Sequence, residues 1–283
     1  MYREYKVLSK LNSSFAKAPK TYIYNDDLSI LDRPFYLMEK IDGIVLTANE
    51  VSNRKITAVE FEQISKEWLN TFIELHSIDF KSVGLGDLGK PIGYVDRQIE
   101  IWSKQYKAAM TSEIESADKV IKWLNENKPV SKQISLIHND YKYDNVVYRN
   151  EKWNEINSIL DWEMCTIGDP LMDLGTSIAY WTMSNDHPVI LNGLKSPTVL
   201  PGNPSRSKIV ELYCEQTQTK LDDFVFYYVY GLFKIAVIVQ QIYFRYKKGL
   251  TGDKRFSKLD KYAKVLSDTA WQSIQKMQIE NLF

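Results

Sequence analysis

The sequence is poor in the residues that build disulfide frameworks and metal–thiolate sites. Its 283 residues include only two cysteines, Cys165 and Cys214, and three histidines. Two cysteines are too few for a disulfide-stabilised scaffold or a cysteine-rich zinc site. The fold must therefore depend on a hydrophobic core, which a composition with 44% hydrophobic residues can supply.

The sequence also has no excess charge of either sign, because 36 lysine and arginine residues balance 36 aspartate and glutamate residues. A protein that binds nucleic acid or an anionic membrane usually carries a basic surface that neutralises phosphate groups. We therefore predict neither a nucleic-acid partner nor a membrane partner. Any basic site for a phosphorylated ligand has to be local.

The sequence lacks both an N-terminal signal and a long uninterrupted apolar run. Residues 1–6 (MYREYK) contain no apolar core of the kind that secretory signals need. The longest apolar run, residues 224–243, contains Lys234, Gln240 and Gln241. These polar groups favour a buried core helix over a membrane span, and we expect a cytoplasmic protein.

Three closely spaced apolar segments predict short strands at residues 134–137, 146–148 and 156–160. Asp140 and Asn145 follow the first strand, and Asp161 follows the third. Strands and turns at hairpin spacing predict that these three side chains meet at one edge of a small sheet. Carboxylate and amide oxygens at such an edge can hold a hard cation beside a reacting phosphate.

The spacing of these polar residues matches a known catalytic pattern. Kinase catalytic loops contain His-Arg-Asp, four residues and then Asn, with a separate metal-binding Asp further along the chain. Here His138-Asn139-Asp140 is followed after four residues by Asn145, and Asp161 comes at the end of the next hairpin. Asp161-Trp162 replaces the Asp-Phe of protein kinases, which points toward their small-molecule relatives.

These motifs resemble the aminoglycoside phosphotransferase and choline kinase family, whose members have a protein-kinase-like fold. Within that group the chain is most similar to the kinase domains attached to some acyl-CoA dehydrogenases and to free-standing bacterial relatives. The resemblance covers nearly the whole chain and includes residues 34–39, 84–87, 93–98, 160–163, 168–171 and 240–246. Because several matching segments occur in the family's order, we favour this family over the alternative, a polar β-hairpin whose acidic residues match the pattern by coincidence.

The resemblance implies ATP and Mg²⁺ as cofactors. It assigns Asp140 as the catalytic base, and Asn145 and Asp161 as Mg²⁺ ligands. Lys142 matches a lysine that neutralises the transferring phosphoryl group in many protein kinases, although a solvated loop lysine is an equal alternative. His138 is expected to brace the loop and receives no chemical role.

The resemblance also implies roles for five further residues. The strand exit after Met38 corresponds to the hinge that faces the adenine ring, which assigns Met38, Glu39 and Ile41 to the nucleotide. A plain strand-to-loop exit remains the alternative there. Asp169 and Asp173 are expected to hydrogen-bond the catalytic-loop backbone rather than a metal ion.

The start of the chain departs from the family pattern. Glu4 occupies the position of a helix glutamate that pairs with a phosphate-binding lysine, but the hairpin and strand that would carry this lysine are absent. We expect a truncated chain or, as the alternative, a natural short form. Nucleotide affinity and transition-state stabilisation are then expected to be weaker.

The predicted architecture is α+β: a protein-kinase-like bilobal fold with a reduced N-terminal lobe at residues 1–43 and a mostly helical C-terminal lobe at residues 44–283. Apolar periodicity predicts helices over residues 2–11, 61–76, 94–106, 114–125, 205–216 and 224–248, with another starting near Leu171. Residues 21–24 and 35–38 are predicted strands. Residues 185–204, with four prolines, are predicted to be a loop beside the substrate.

The predicted reaction is ATP-dependent phosphorylation of a small-molecule hydroxyl, and the resemblance implies a hydroxyacyl-CoA-type acceptor and a functional link to an acyl-CoA dehydrogenase. Tyr243, Arg245 and Tyr246 are expected near the acceptor, with simple packing as the alternative. Aminoglycoside and choline-type kinases are rivals, although neutral charge and Arg245 do not favour an acidic aminoglycoside cleft. A non-catalytic binding module is favoured by the missing lysine and opposed by the intact Asp140, Asn145 and Asp161.

Overall fold

The computed structural model describes residues 1–221 and 223–283, and the chain divides into two compact units. Unit 1 consists of Met1–Pro91, Gln133–Asp173 and Leu200–Pro204, and unit 2 consists of Ile92–Lys132, Leu174–Val199 and Ser205–Phe283. Within the described residues, every strand lies in unit 1, and unit 2 is helical. The predicted α+β class is therefore confirmed.

The two units follow spatial compactness and not chain order. The segment that contains Asp140 and Asp161 groups with the N-terminal third of the chain in unit 1. The sequence predicted a different division, into a nucleotide-side lobe at residues 1–43 and a helical lobe at residues 44–283. It stays a prediction.

Unit 1 contains three small sheets and three helices. The helices are α1 (Tyr2–Leu11), α2 (Ala48–Arg54) and α3 (Ala58–His76). The strands are β1 (Thr21–Asn25), β2 (Phe35–Met38), β3 (Ile44–Val45), β4 (Ser135–Ile137), β5 (Val146–Tyr148), β6 (Ile156–Ile159) and β7 (Thr166–Gly168). All pairings are antiparallel: β1 with β2, β5 between β3 and β6, and β4 with β7.

The pairing corrects one part of the sequence-based prediction. Strands β5 and β6 form the expected hairpin, but β4 pairs with β7 and belongs to a different sheet. The prediction placed Asp140, Asn145 and Asp161 at one edge of a single small sheet, and the single sheet was wrong because the strand before Asp140 belongs to another sheet. Strand β7 was not predicted, because a three-residue strand carries almost no periodic signal.

Helix α3 shows how local sequence sets an element of unit 1. The Thr57 hydroxyl accepts a hydrogen bond from Glu60 N, and the Glu60 carboxylate accepts one from Thr57 N. This capping box satisfies backbone donors at the helix start. The apolar stripe predicted from the sequence is buried: Phe61, Ile64, Trp68, Phe72 and Leu75.

Unit 2 is built from helices. Helix α6 (Pro170–Tyr180) begins in unit 1 and continues into unit 2. The others are α4 (Tyr94–Ala108), α5 (Glu115–Glu126), α7 (Pro188–Leu194), α8 (Arg206–Thr217), α9 (Val225–Lys247) and α10 (Leu259–Lys276). Ser205 caps α8 as expected, because its hydroxyl accepts a hydrogen bond from Lys208 N.

Helix α9 forms the centre of unit 2. It packs mainly against α10 and also against α4 and α5. Among the described residues it is the one helix with the length and hydropathy to cross a membrane, and 83% of its most apolar window is buried within the protein. This burial confirms the predicted core helix.

Two elements of unit 2 were missed or misassigned. The predicted loop at residues 185–204 contains helix α7, which starts at Pro188 because proline suits the first turn of a helix. No element was predicted after residue 248, yet α10 is the main packing partner of α9. A signal was present: Tyr262, Leu266, Ala270 and Ile274 are buried at four-residue spacing.

A close approach of α6 and α9 gives a stability prediction. A Cβ atom on Gly231 would lie 2.3 Å from the carbonyl oxygen of Gly175, so alanine requires the helix backbones to separate. We expect Gly231→Ala to lower the free energy of unfolding by about 1–3 kcal/mol, measured by urea denaturation. Gly252→Ala is the control, since its Cβ would meet nothing within 4 Å. Equal stability of both variants would contradict the close packing.

Candidate functional site

The predicted catalytic loop begins at His138, directly after β4. The His138 side chain is fully buried, and its Nε2 lies 3.0 Å from the carbonyl oxygen of Leu160. Because a carbonyl only accepts, Nε2 carries the proton, and Nδ1 accepts a hydrogen bond from Asp140 N at 3.3 Å. Burial lowers the pKa of His138 despite the nearby charges of Asp173 and Asp140. The neutral ring thus braces the loop, as expected.

Asp173 anchors the same loop from α6. Its buried carboxylate accepts hydrogen bonds from His138 N at 2.6 Å and Asn139 N at 2.8 Å, and it lies 3.2 Å from His76 Nε2. Burial alone would raise the pKa of Asp173, but the bonds from His76 and His138 outweigh it and lower the pKa. The predicted structural role of Asp173 is confirmed, and Asp169 caps α6 through Leu171 N.

Asp140 is held by two side chains from its own loop. Asn145 Nδ2 donates to Asp140 O and Asp140 Oδ2, both at 2.8 Å, and Lys142 Nζ lies 2.8 Å from the same Oδ2. The Asp140 side chain is 15% exposed. Among residues 1–221 and 223–283, none donates a hydrogen bond to Oδ1. That oxygen therefore remains able to accept a proton from a bound hydroxyl group.

Asp161 lies at the turn after β6, with a left-handed φ of 66°. Its strand is tied to the catalytic loop, since Leu160 N donates to Asn145 O at 2.8 Å. Burial raises the pKa of Asp161, and the charges of Glu163 and Asp140 raise it further, while Lys142 opposes them. No donor from the described part of the chain satisfies this carboxylate. A cation would relieve the charge repulsion.

Glu4 on α1 belongs to the same acidic group. Burial raises the pKa of Glu4, the charges of Asp161 and Glu163 add to the rise, and a hydrogen bond with Tyr36 opposes it. Burial and the Glu4 charge together raise the pKa of Tyr36, so its hydroxyl stays protonated. The helix glutamate named from the sequence thus lies within electrostatic range of Asp161.

The donor set fits a magnesium ion that is shared with a nucleotide. Asn145 uses its amide nitrogen to hold Asp140, which leaves its amide oxygen free to serve as a ligand together with the unsatisfied Asp161 carboxylate. No group of three or more His, Cys, Asp or Glu side chains with metal-binding geometry occurs among the described residues. Mg²⁺ commonly takes one or two protein oxygens and completes its shell with water and phosphate oxygens.

The residues assigned to the adenine ring lie at the end of β2 in unit 1. The backbone of Glu39 continues the β1–β2 pairing, because Glu39 N donates to Lys20 O at 2.8 Å, and its carboxylate accepts from Lys20 N at 2.6 Å. Met38 is 45% exposed and Ile41 is partly exposed. These contacts describe a strand exit, and the nucleotide contact stays a prediction.

The residues assigned to the acceptor lie in the last turns of α9, in unit 2. Tyr243 is buried, stacks on Tyr246 with ring centroids 6.4 Å apart, and hydrogen-bonds Asp260. Arg245 is exposed. A pocket of about 530 Å³ in unit 2, formed by α8, residues 221 and 223–225 and residues 277–281, includes none of the predicted site residues. The acceptor role of Tyr243, Arg245 and Tyr246 stays a prediction.

Sequence reasoning missed two residues that shape the site. His76, at the end of α3, contacts Asp173, and the Asn139 side chain donates to the carbonyl oxygen of Met164 at 3.1 Å. A polar residue on the apolar face of α3 was the available signal for His76. For Asn139 there was none, because its partner lies 25 residues away in sequence.

Comparison with known proteins gives consistent results. The family model described as "Phosphotransferase enzyme family" matches residues 1–204. Acyl-CoA dehydrogenase family member 10 of Mus musculus is 30% identical over 281 residues, which cover 97% of this chain and 25% of that protein. Family member 11 of Rattus norvegicus is 32% identical over 252 residues, covering 87% and 32%. The chain spans only about a quarter to a third of these relatives.

Two solved structures show the same fold. A Ralstonia eutropha JMP134 protein assigned as an aminoglycoside phosphotransferase has a TM-score of 0.82 and 28% identity, covering 97% of this chain and 83% of that one. Aminoglycoside phosphotransferase APH(4)-Ia, solved with AMP-PNP and hygromycin B, has a TM-score of 0.61 and 14% identity, covering 96% and 82%. The predicted protein-kinase-like fold is therefore confirmed.

Proposed function

Because this chain belongs to the phosphotransferase enzyme family, we propose that it transfers the γ-phosphoryl group of ATP to the hydroxyl group of a small molecule. One observation carries the proposal. Asp140 is fixed through Oδ2 by Lys142 and Asn145, while its Oδ1 is unbonded within the described chain, and Asp161 is an unsatisfied carboxylate beside it. A proton acceptor and a cation site are thereby next to each other.

The residues divide the chemistry as follows. Asp140 Oδ1 takes the proton of the acceptor hydroxyl, whose oxygen bonds to the γ-phosphorus as the bond to the bridging oxygen breaks and ADP leaves. Asn145 and Asp161 would hold Mg²⁺, which when bound neutralises charge on the phosphates. Lys142 orients Asp140 and adds positive charge beside the transferring group. His138 and Asp173 keep the loop in place.

For the acceptor we propose a hydroxyacyl-CoA. Support comes from the relatives, whose names identify them as acyl-CoA dehydrogenase family members and which contain a segment like this chain within a longer protein. A kinase linked to acyl-CoA oxidation would meet acyl-CoA esters that carry a hydroxyl group. Exposed Arg245, near Tyr243 and Tyr246, is the proposed contact for the anionic part of CoA.

The proposal predicts Mg²⁺-dependent binding of ATP through Asp161. We expect Asp161→Asn to raise the Kd of ATP at least about tenfold in the presence of Mg²⁺, because a neutral amide is a poorer ligand for a hard cation. The Kd of ATP measured without Mg²⁺ should be unchanged. Isothermal titration calorimetry measures both constants. Asp26→Ala, which removes an exposed carboxylate of unit 1, is the control.

The acceptor is tested separately. ADP release is measured for this chain with hydroxyacyl-CoA esters that differ in hydroxyl position, with choline and with kanamycin. Turnover only with the CoA esters supports the proposed acceptor, and turnover with choline or kanamycin replaces it by the corresponding rival. If this chain does not bind Mg²⁺-ATP, the phosphotransferase proposal fails, and the fold serves as a binding module.

A further inference from the structure

We propose that Asn139 is a positioning residue that sets the geometry between Asp140 and the segment carrying Asp161. The inference rests on the proposed function, since it concerns how the base and the metal ligand are aligned. Asn139 itself need not touch the nucleotide or the acceptor. Its contribution lies in contacts to two other segments of unit 1.

The first observation is the backbone conformation of Asn139. Its φ is 69°, in the left-handed region. Residues other than glycine are strained there, and asparagine is among those that tolerate it best. The residue is 6% exposed, and its N–H donates to Asp173 Oδ1 at 2.8 Å. The bond to Asp173 therefore holds Asn139 in its left-handed conformation, which sets the direction of the backbone at the next residue, Asp140.

The second observation is the hydrogen bond that the side-chain amide of Asn139 makes. Its Nδ2 donates to Met164 O at 3.1 Å. Met164 closes the short 3₁₀ turn Trp162–Met164, whose N-terminal flanking residue is Asp161. Asp161 itself has a left-handed φ of 66°. The bond thus connects the residue before the base to the end of the turn that starts at the metal ligand.

The third observation is that His138 binds the other side of that turn. His138 Nε2 donates to Leu160 O, one residue before Asp161, whereas Asn139 Nδ2 donates to Met164 O, three residues after it. Two consecutive residues of the catalytic loop therefore hold the Asp161 turn at both ends. Together with the bond from Leu160 N to Asn145 O, these two bonds set the orientation of the turn relative to Asp140.

The role of a bond at this place is alignment. Phosphoryl transfer requires the attacking oxygen to lie roughly in line with the bond that breaks at phosphorus, so the base that holds the hydroxyl and the metal that holds the phosphate must be aligned. A displacement of about 1 Å can lower the rate about 100-fold. Loss of the Asn139 side chain leaves every proposed catalytic group in the chain. We therefore expect a lower kcat with little change in the KM for ATP.

The test uses Asn139→Gly and Asn139→Asp. Glycine accepts the left-handed backbone but cannot bind Met164, and aspartate keeps the size while placing a carboxylate oxygen against the Met164 carbonyl. We expect kcat for ATP turnover to fall about 10- to 100-fold in both variants, with the KM for ATP within about threefold and the melting temperature within about 4 °C of wild type. Asn281→Gly is the matched control, because Asn281 is exposed and also has a positive φ of 56°.

Hydrogen exchange gives a second readout that needs neither ATP nor an acceptor. We expect faster exchange in peptides covering residues 160–168 in both Asn139 variants and unchanged exchange there in Asn281→Gly. Wild-type exchange at residues 160–168 in Asn139→Gly, or a loss of kcat equal to that of Asn281→Gly, would overturn the proposal. If the wild type shows no ATP turnover, the proposed function fails, and exchange alone decides whether Asn139 holds the turn.

Discussion

Replacing Asp140 with alanine is expected to lower kcat about 10²- to 10⁴-fold, the usual contribution of a general base. The structure supports this size of effect because the carboxylate is held by Lys142 and Asn145 with one oxygen unbonded among the described residues. Such a loss corresponds to about 2.7–5.4 kcal/mol of transition-state stabilisation. The measurement is ADP release at saturating Mg²⁺-ATP with the acceptor identified from the panel.

Asp140→Asn separates the proton acceptor from the shape of the loop. The amide keeps the size of the side chain and an oxygen for Lys142, but it is a very weak base. We expect its kcat to be as low as that of the alanine variant, with an unchanged Kd for Mg²⁺-ATP. Asp26→Ala again serves as the exposed control. An alanine variant that keeps more than about a tenth of wild-type kcat would remove Asp140 from the role of base.

The second large effect is expected on stability. Asp173→Ala should lower the free energy of unfolding by about 3–5 kcal/mol, because it leaves the buried donors of His138, Asn139 and His76 without their acceptor. Urea denaturation at pH 7 measures the change. We also expect loss of ATP turnover, since the same carboxylate holds the catalytic loop.

Asp79→Ala is the matched control for this loss. The Asp79 carboxylate also accepts two backbone hydrogen bonds, from Lys81 N at 3.0 Å and Ser82 N at 3.2 Å, but these bonds lie at the surface. Water replaces an exposed acceptor, so we expect a cost of about 1 kcal/mol or less. If Asp79→Ala and Asp173→Ala lowered the free energy of unfolding equally, burial would not be the reason that the Asp173 hydrogen bonds stabilise the protein.

The pH dependence of this difference follows from the lowered pKa of Asp173. Its folded pKa lies below the ordinary value of 3.8, so its contribution is fully present above about pH 3.8 and is lost as the pH falls through the folded pKa. The stability gap between wild type and Asp173→Ala should therefore narrow only in strong acid. A gap that narrows already between pH 6 and 5 would implicate a different group.

His138 contributes at higher pH. Burial lowers its pKa below 6.5, so the unfolded chain takes up a proton first as the pH falls, and wild-type stability should begin to decrease below about pH 6.5. The Asp173 carboxylate remains ionised in that range, and its charge opposes the lowering of the His138 pKa. The two groups thus affect the unfolding curve in separate pH windows.

Much of the site was predictable because it is local. Asp140, Lys142 and Asn145 lie within six residues of one another, so their side chains are close in sequence as well as in space. The β5–β6 hairpin adds Asp161 through a short connection. The amphipathic helices followed from apolar periodicity in the same way, since one face of a helix is set by spacing alone.

The partners of the loop were not predictable to the same degree. His76 meets Asp173 across 97 residues, and Asn139 meets Met164 across 25. The pairing of β4 with β7 and the packing of α10 on α9 likewise join segments whose own sequences do not identify a partner. Residues such as Tyr243 have the same sequence signature whether they pack or bind.

The sequence by itself determined the chemical groups, their order and the elements that carry them, because helix periodicity, turn residues and loop spacing act over a few residues. Tertiary structure alone decided which buried donors satisfy Asp173, which carbonyl oxygen Asn139 binds, and which strand pairs with β4. The physical reason is that these contacts depend on burial and on backbone geometry between distant segments. A buried polar group must find a partner, but its own sequence neighbourhood does not say which one.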